Sequence, residues 1–348
     1  MSAPPVLVEV IRGEGLDARH RGWIAGVDPD GELTVSIGDP GQRVFLRSSA
    51  KPFQLAPFVA SGRFDSYDFG APTEALAIMA ASHSGEDRHV RTVQAILRQG
   101  GLSRDVLQCG THTPYDVETA QRLLRDGEPL TPLRHNCSGK HAGMALHAKA
   151  AGWDVETYWH PDHPVQRLAL ETIASLAELP QEEIGTATDG CGVVTFVLPL
   201  RNAALLYVRL ADPTLVPDAA LRSALERIRD AMMAHPELVA GERRRLDTAL
   251  MRTAPGTLVA KGGAEGFSAL GLLPNAANAG GKALGLVVKI EDGDAARRAG
   301  SVTVCAALRQ LGVLDSAAMT SLAEFASPPI RDPRGERSGE VKATFKIA

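Results

Sequence analysis

The chain has 348 residues, of which 44% are hydrophobic and 22% charged, and its net charge is −4. That length holds about two domains of ~150 residues or one large one. The slight acidic excess gives nucleic acid or an anionic membrane no electrostatic footing as a partner, and no apolar run approaches the ~20 residues of a membrane span.

Met1-Ser2-Ala3-Pro4-Pro5 lacks a charged n-region followed by an apolar h-region, so a cytoplasmic protein is expected. Residues 5–12 read as a strand. Residues 22–27 and 32–38 read as a hairpin around the turn-rich Asp28-Pro29-Asp30-Gly31. Val44 to Leu46 adds a strand, and Phe53 to Val59 a helix. Pro72 to Ala81 and residues 87–99 read as helices, the second closed by Gly100-Gly101, and 116–125 as a short amphipathic helix. Further helices run from Asn136-Cys137 to about Ala151 and from Pro164 to Ala177. The β-branched run Val193 to Val197 reads as a strand. Helical stretches follow at 202–211, 218–234 and 244–253. Thr257 to Ala260, 267–273 and 283–291 read as strands, the last two flanking a loop with Gly280-Gly281. A helix over 294–311 and a strand from Val341 to Ile347 complete the series. Strands gather at both ends and helices fill the middle. An α+β plan is expected, with N- and C-terminal strands in one antiparallel sheet. It divides into a sheet part (about 1–47 and 255–348) and a helical part (about 48–254) within a single unit of residues 1–348. That plan would bring Ser48 and Lys261 together.

Four short constellations carry chemistry. In Arg47-Ser48-Ser49-Ala50-Lys51-Pro52, Ser48 and Lys51 stand three residues apart, on one side of a helical turn. A free serine hydroxyl is a poor nucleophile near neutral pH, and an unprotonated lysine amine can take its proton. A capping serine followed by a solvated lysine gives the same letters, and Pro52 disfavours the α region at Lys51. Ser82-His83-Ser84-Gly85 ends a helix, where Gly85 also suits an ordinary cap. Lys261-Gly262-Gly263 ends a strand, and glycines there allow a close approach to the backbone. The order Ser-x-x-Lys, Ser-x-Ser, Lys-Gly-Gly parallels serine-reactive penicillin-binding and class A β-lactamase enzymes, with no Asn in the second element and Gly for Thr in the third.

The fourth constellation is Cys137, Lys140, His141, Asp189 and Cys191. Four cysteines, these two with Cys109 and Cys305, are too few for a disulfide scaffold. Two thiolates suit a soft metal, most simply zinc. His141 is the obvious third ligand. Lys140 is the unusual one, because deprotonating a lysine near pH 7 costs about 4–5 kcal/mol. Two buried thiols beside a solvated lysine are the plain alternative. Cys109-Gly110-Thr111-His112 reads as structural, and Cys305 as core packing.

Taken together, Arg47 to Pro52, Ser82-His83-Ser84-Gly85-Glu86, Cys109 to His112, Asn136-Cys137-Ser138-Gly139-Lys140-His141, Asp189-Gly190-Cys191-Gly192 and Lys261-Gly262-Gly263-Ala264-Glu265-Gly266 resemble the rhizobial-type (class 3, asparaginase II family) L-asparaginases over about residues 5–345. The resemblance implies hydrolysis of L-asparagine, a small-molecule substrate, to L-aspartate and ammonia. It also implies a fold similar to serine β-lactamases and glutaminases, and a homodimer. It places two Ser-Lys pairs on Ser48 with Lys51 and on Ser82 with Lys261, preferring Ser82 to Ser84. It places zinc ligands on Cys137, Lys140 and Cys191, with His141 and Asp189 near the metal and Arg47 near the substrate. Within this reading Ser48, or else Ser82, is the nucleophile. The competing readings are a β-lactam- or peptide-directed serine acyl enzyme and a non-catalytic zinc-stabilised binding protein.

Overall fold

The computed structural model describes residues 3–276 and 281–347, so Gly280 of the expected glycine loop lies outside the described residues. In chain order the elements begin with strands β1 (Val6–Arg12), β2 (Gly15–Val27), β3 (Leu33–Ile37) and β4 (Arg43–Phe45). Helices follow: α1 (Lys51–Ala60), α2 (Pro72–Met79), α3 (Asp87–Gln99), α4 (Val117–Asp126), α5 (Ser138–Ala150) and α6 (Pro164–Ala177). Strands β5 (Gly185–Thr188) and β6 (Val194–Pro199) lead to α7 (Leu200–Ala211), α8 (Ala219–Ala234), α9 (Pro236–Val239) and α10 (Leu246–Thr253). The chain continues through β7 (Leu258–Gly263), β8 (Phe267–Leu272), β9 (Leu284–Ile290), α11 (Ala299–Gln310), α12 (Ser316–Ser321), α13 (Ala323–Ala326), β10 (Ile330–Arg331) and β11 (Arg337–Ala343). No helix among the described residues is long and apolar enough to cross a membrane.

The fold is α+β, and the chain forms two compact units. The first holds Met1–Ser49, Leu198–Asp212 and Ala249–Ala348. Its core is an antiparallel sheet, eight-stranded among the described residues, in the order β10-β11-β1-β2-β9-β8-β7, with β3 also on β2. N- and C-terminal strands meet in it as the pattern requires: Val8 pairs with Ala343, and Ala25 with Val287. β8 and β9 are buried at nearly every position, the mark of strands covered on both faces. Helices α7 and α11 pack on them. The approach of α7 is close: a Cβ on Gly285 would stand 1.9 Å from the Ala204 carbonyl oxygen, and one on Gly271 2.5 Å from that of Tyr207. Residues 198–212 therefore belong with the sheet, although a division at 47 and 255 leaves them among the helices.

The second unit, Ala50–Val197 and Pro213–Thr248, is helical apart from the β5–β6 hairpin. Helix α1 packs on α8, α6 and α5, and α2 on α8, α5 and α3. Pro52 does not break α1. It sits in the first helical turn, where a missing N–H leaves nothing unsatisfied.

Three departures from the sequence pattern have local causes. β2 begins at Gly15, seven residues before its apolar half, because Gly15, Leu16 and Ala18 to Arg21 pair with β1 through the backbone although Gly15 to Asp17 and Arg19 are exposed. The last strand is Arg337–Ala343 rather than 341–347. Helix α11 starts at Ala299 rather than 294, since Asp294 and Arg297 take left-handed φ of 51° and 52°. The Asp294 carboxylate accepts from the N–H groups of Arg298, Ala299 and Gly300 at 3.0, 3.0 and 2.8 Å. Asp294 is 7% exposed. Asp294→Ala is expected to leave those donors without their acceptor and to cost about 1–3 kcal/mol, read as a lower denaturant midpoint.

Candidate functional site

The second unit gathers most of the chemistry-bearing residues. Lys51 opens α1 and is fully buried. Its ammonium donates to the Ala81 carbonyl at 2.5 Å and to Ser82 Oγ at 2.8 Å. Burial pulls the amine below its ordinary value. The Cys137 thiol opposes that shift, the Lys140 cation adds to it, and the Cys191 thiol again opposes it. A lysine whose neutral form is favoured in this way can accept a proton. The hydroxyl it holds is that of Ser82, just past the end of α2.

Around Ser82 the segment is locked. His83 Nδ1 accepts from the Gly85 N–H at 3.2 Å, which leaves Nε2 to donate to Ser138 Oγ at 2.9 Å. The imidazole is fully buried and stacked on His89, and burial first, then His89, hold it well below its ordinary pKa. Ser84 Oγ donates to the Ala240 carbonyl at 2.9 Å. Arg245, which no motif in the sequence pointed to, donates to the Ser82 carbonyl and to Ser84 Oγ. Its only sequence signal is its place in Gly241-Glu242-Arg243-Arg244-Arg245, which looks like a solvated charge run.

Cys137 immediately precedes α5, and Lys140 lies in its first turn. Asp189 and Cys191 come from the turn between β5 and β6. That turn is closed by Asp189 N–H to the Val193 carbonyl and Gly192 N–H to the Asp189 carbonyl, with Gly192 at φ +89°. The ligand atoms of Cys137, Asp189 and Cys191 all lie within 4.8 Å of one another. Lys140 Nζ donates to Cys191 Sγ at 3.0 Å and lies 3.9 Å from Asp189 Oδ2. Cys191 Sγ donates to Asp189 Oδ2 at 3.3 Å. The neighbouring Cys191 sulfur is the largest influence on Cys137, and with the Lys51 and Lys140 amines it outweighs burial and holds the Cys137 thiol well below its ordinary range. Burial disfavours the Lys140 cation, but Cys191, Cys137 and Asp189 outweigh it and raise its pKa.

Two sulfurs and a carboxylate oxygen within 4.8 Å of one another make a group that could hold a metal ion. Bonds of about 2.0 and 2.3 Å give ligand–ligand edges of about 3.3–3.8 Å. Asp189 is as well placed to be a ligand as Lys140, and it needs no deprotonation. His141 stands apart from the group. Its Nδ1 bonds Tyr158 Oη at 2.6 Å, and its Nε2 is buried with no hydrogen-bond partner among the described residues.

The first unit holds Arg47, Ser48 and Lys261. Ser48 is half-buried in a 3-10 turn, Arg47–Ala50, that Arg47 enters with a left-handed φ of 47°. Such a conformation costs a non-glycine residue of order 1 kcal/mol and is common at functional turns. The turn is fixed by Ser49 Oγ donating to the Leu46 carbonyl at 2.6 Å and by Tyr207 Oη donating to the Ser49 carbonyl at 2.8 Å. The end of β7 runs alongside it, since a Cβ on Gly263 would stand 2.7 Å from the Leu46 oxygen and 3.4 Å from the Ser49 nitrogen. Lys261, 1% exposed, donates to the Gly262 carbonyl at 2.7 Å. The sheet thus places the Lys-Gly-Gly strand end beside the serine turn. Cys109 and Cys305 are buried thiols, each pushed up to about 12 by burial.

A family model described as L-asparaginase II matches residues 8–343. No curated protein matches the chain. Among solved structures it is similar to a probable glutaminase from Bacillus subtilis complexed with 6-diazo-5-oxo-L-norleucine, at 14% identity and TM-score 0.39, with 84% of each chain covered. It is also similar to Mglu, at 15% identity and TM-score 0.34, covering 85% of this chain and 68% of that one.

Two outcomes follow from the geometry. Gly263→Ala is expected to push back the Leu46–Ser49 turn, lowering stability by about 1–3 kcal/mol as overpacking does and lowering activity more than stability. Melting and turnover measured on one preparation check it. If Cys137, Asp189 and Cys191 hold a divalent metal, Cys191→Ser is expected to lower the metal content of the purified chain relative to wild type and Cys305→Ser, checked by elemental analysis.

Proposed function

The chain belongs to the L-asparaginase II family, and on that premise we propose that it hydrolyses L-asparagine to L-aspartate and ammonia. The observation that carries the reading is the bond between the buried Lys51 amine and Ser82 Oγ in a member of an amidohydrolase family. A serine oxygen attacks the side-chain amide carbon. Ammonia leaves with a proton delivered from the lysine side, and water then releases the acyl group as aspartate. Lys51 holds and moves the proton at its Nζ. Backbone N–H groups near the attacking serine stabilise the oxyanion. Two serines compete for the attack. The resemblance favours Ser48, in its constrained turn, and gives Ser82 and Lys261 the proton relay. The bond to Lys51 gives Ser82 its claim.

The proposal extends to a zinc ion held by Cys137, Cys191 and Lys140 or Asp189, to a cytoplasmic location on the sequence pattern, and, on the resemblance alone, to a homodimer. Bound there, zinc would supply a fixed positive charge that helps to seat the substrate. Cys137, Cys191 and Asp189 fit such an ion in type and spacing.

Ammonia release from L-asparagine and, in parallel, L-glutamine tests the reading. Release from asparagine is expected, and none from either amide would overturn it. Ser48→Ala retaining more than roughly a tenth of wild-type activity would remove Ser48 as nucleophile. Lys51→Met is expected to lower kcat by about 10²–10⁴-fold, the usual worth of a general base, with the fold kept by an apolar chain of similar length, which melting of the same preparation checks. In wild type the lowered Lys51 pKa makes the base neutral at lower pH than a free lysine. Activity should therefore rise with pH and fall away on acidification as Lys51 takes up its proton, a limb absent from the residual activity of Lys51→Met.

A further inference from the structure

Ser82 is held from three sides. Its Oγ meets Lys51, its N–H donates to the Val239 carbonyl at 2.8 Å, and its carbonyl accepts from Arg245 Nη2 at 2.9 Å. The last two contacts come from one strap of chain, residues 239–245, which ends α9 and leads into α10. The strap lies directly on the Ser82–Glu86 segment. At Gly241, φ is +145° and a Cβ would stand 2.3 Å from Ser84 Oγ and 2.9 Å from Glu86 Oε1, so only glycine passes. Glu242 N–H donates to Glu86 Oε1 at 3.0 Å. Arg243 makes two bonds to Asp116, at 3.0 and 2.6 Å, and Asp116 in turn caps α4 through the Thr119 N–H.

Arg245 uses both ends of its guanidinium. Nη1 donates to Ser84 Oγ and to the Ala240 carbonyl, each at 2.8 Å, while Nη2 takes the Ser82 carbonyl. Its Cζ lies over the Tyr115 ring, 5.8 Å from the ring centre. One planar cation therefore ties the strap's own backbone to two points of the serine segment. A point-charge ammonium cannot reproduce that spread of donors.

We propose that Arg245 is a positioning residue for the Lys51–Ser82 pair: it fixes the Ser82 carbonyl from the strap so that Ser82 Oγ stays within hydrogen-bond reach of Lys51. The inference rests on reading that pair as part of the catalytic machinery. Arg245 acts through Ser82, so its loss should lower turnover far more than substrate binding. Misplacement of a reacting group by about 1 Å costs on the order of 100-fold.

The test compares wild type, Arg245→Ala and Arg245→Lys. For each, kcat and KM for L-asparagine are measured with and without added methylguanidinium, and amide hydrogen exchange is followed across residues 80–90. Arg245→Ala is expected to lose about 100-fold in kcat with KM changed less than about threefold. Exchange should quicken at Ser82–Glu86 but not in α1. Methylguanidinium should restore at least a tenth of the lost rate, and Arg245→Lys should fall between the two. Unchanged exchange in Arg245→Ala would overturn the clamp. Faster exchange with unchanged kcat, or a loss confined to KM, would overturn the positioning role. Wild type inert on both amides would instead overturn the functional reading, and the positioning role with it, while the exchange arm still reports whether the clamp exists.

Discussion

A lysine amine cut off from water has to be met by the protein itself, and in this chain that amine is Lys51. An ion taken out of solvent loses several kcal/mol of hydration unless nearby groups replace it. The groups around Lys51 do so only in part. The Ala81 carbonyl and Ser82 Oγ accept its hydrogens, and the thiolate side of the cysteine pair supplies opposite charge, yet burial still prevails and holds the amine below its ordinary pKa. This shortfall favours the neutral amine in a residue that is usually a fixed cation. It also couples the amine to the Cys137–Cys191–Lys140 group, because charge placed on either is felt by the other across a dry interior. A metal bound by the thiols would alter the charge that Lys51 sees without touching it.

The same economy of contact governs the first unit. A sheet made from the two ends of the chain needs a cover on each face, and α7 supplies one by lying against backbone rather than against side chains. Gly271 and Gly285 permit that approach. A larger residue at either would lift the helix from the sheet. At the edge of the sheet Gly263 lets β7 pass the Arg47–Ala50 turn in the same way. Three glycines at three close passages thus set where the helix and the serine turn stand.

Much of this was legible in the sequence because the informative residues are costly to misplace. Lysines beside serines, cysteines beside glycine turns and a lysine before two glycines stand out against their apolar surroundings, and their order along the chain marked the family. The apolar strands at both ends gave the sheet. What stayed hidden was hidden for physical reasons. Arg245 sits in an arginine run that looks solvated, and only the tertiary fold shows that one of the three is turned onto Ser82. The first half of β2 is held by backbone pairing and carries polar side chains, so it shows little hydrophobic period. The start of α11 depends on a single carboxylate capping three N–H groups, where helical composition alone extends the element to residue 294. The sequence makes Asp189 an accessory to the metal ligands, and in the fold its carboxylate lies within 4.8 Å of both cysteine sulfurs.

The first unit is drawn from three separated stretches, and that bears on how the chain is made. β2 emerges from the ribosome long before its neighbour β9. At typical synthesis rates the wait is roughly ten to fifty seconds. Throughout it the apolar half of β2, Trp23 to Val27, has only β3 to pair with, and until α7 is made it has no helix from that cover above it. The edge that β9 later closes stays open to other chains. The helical second unit, whose contacts are more local, can settle in the meantime. The half-made chain is thus the stage at which this strand edge is open, and a chaperone that shields such an edge would act there.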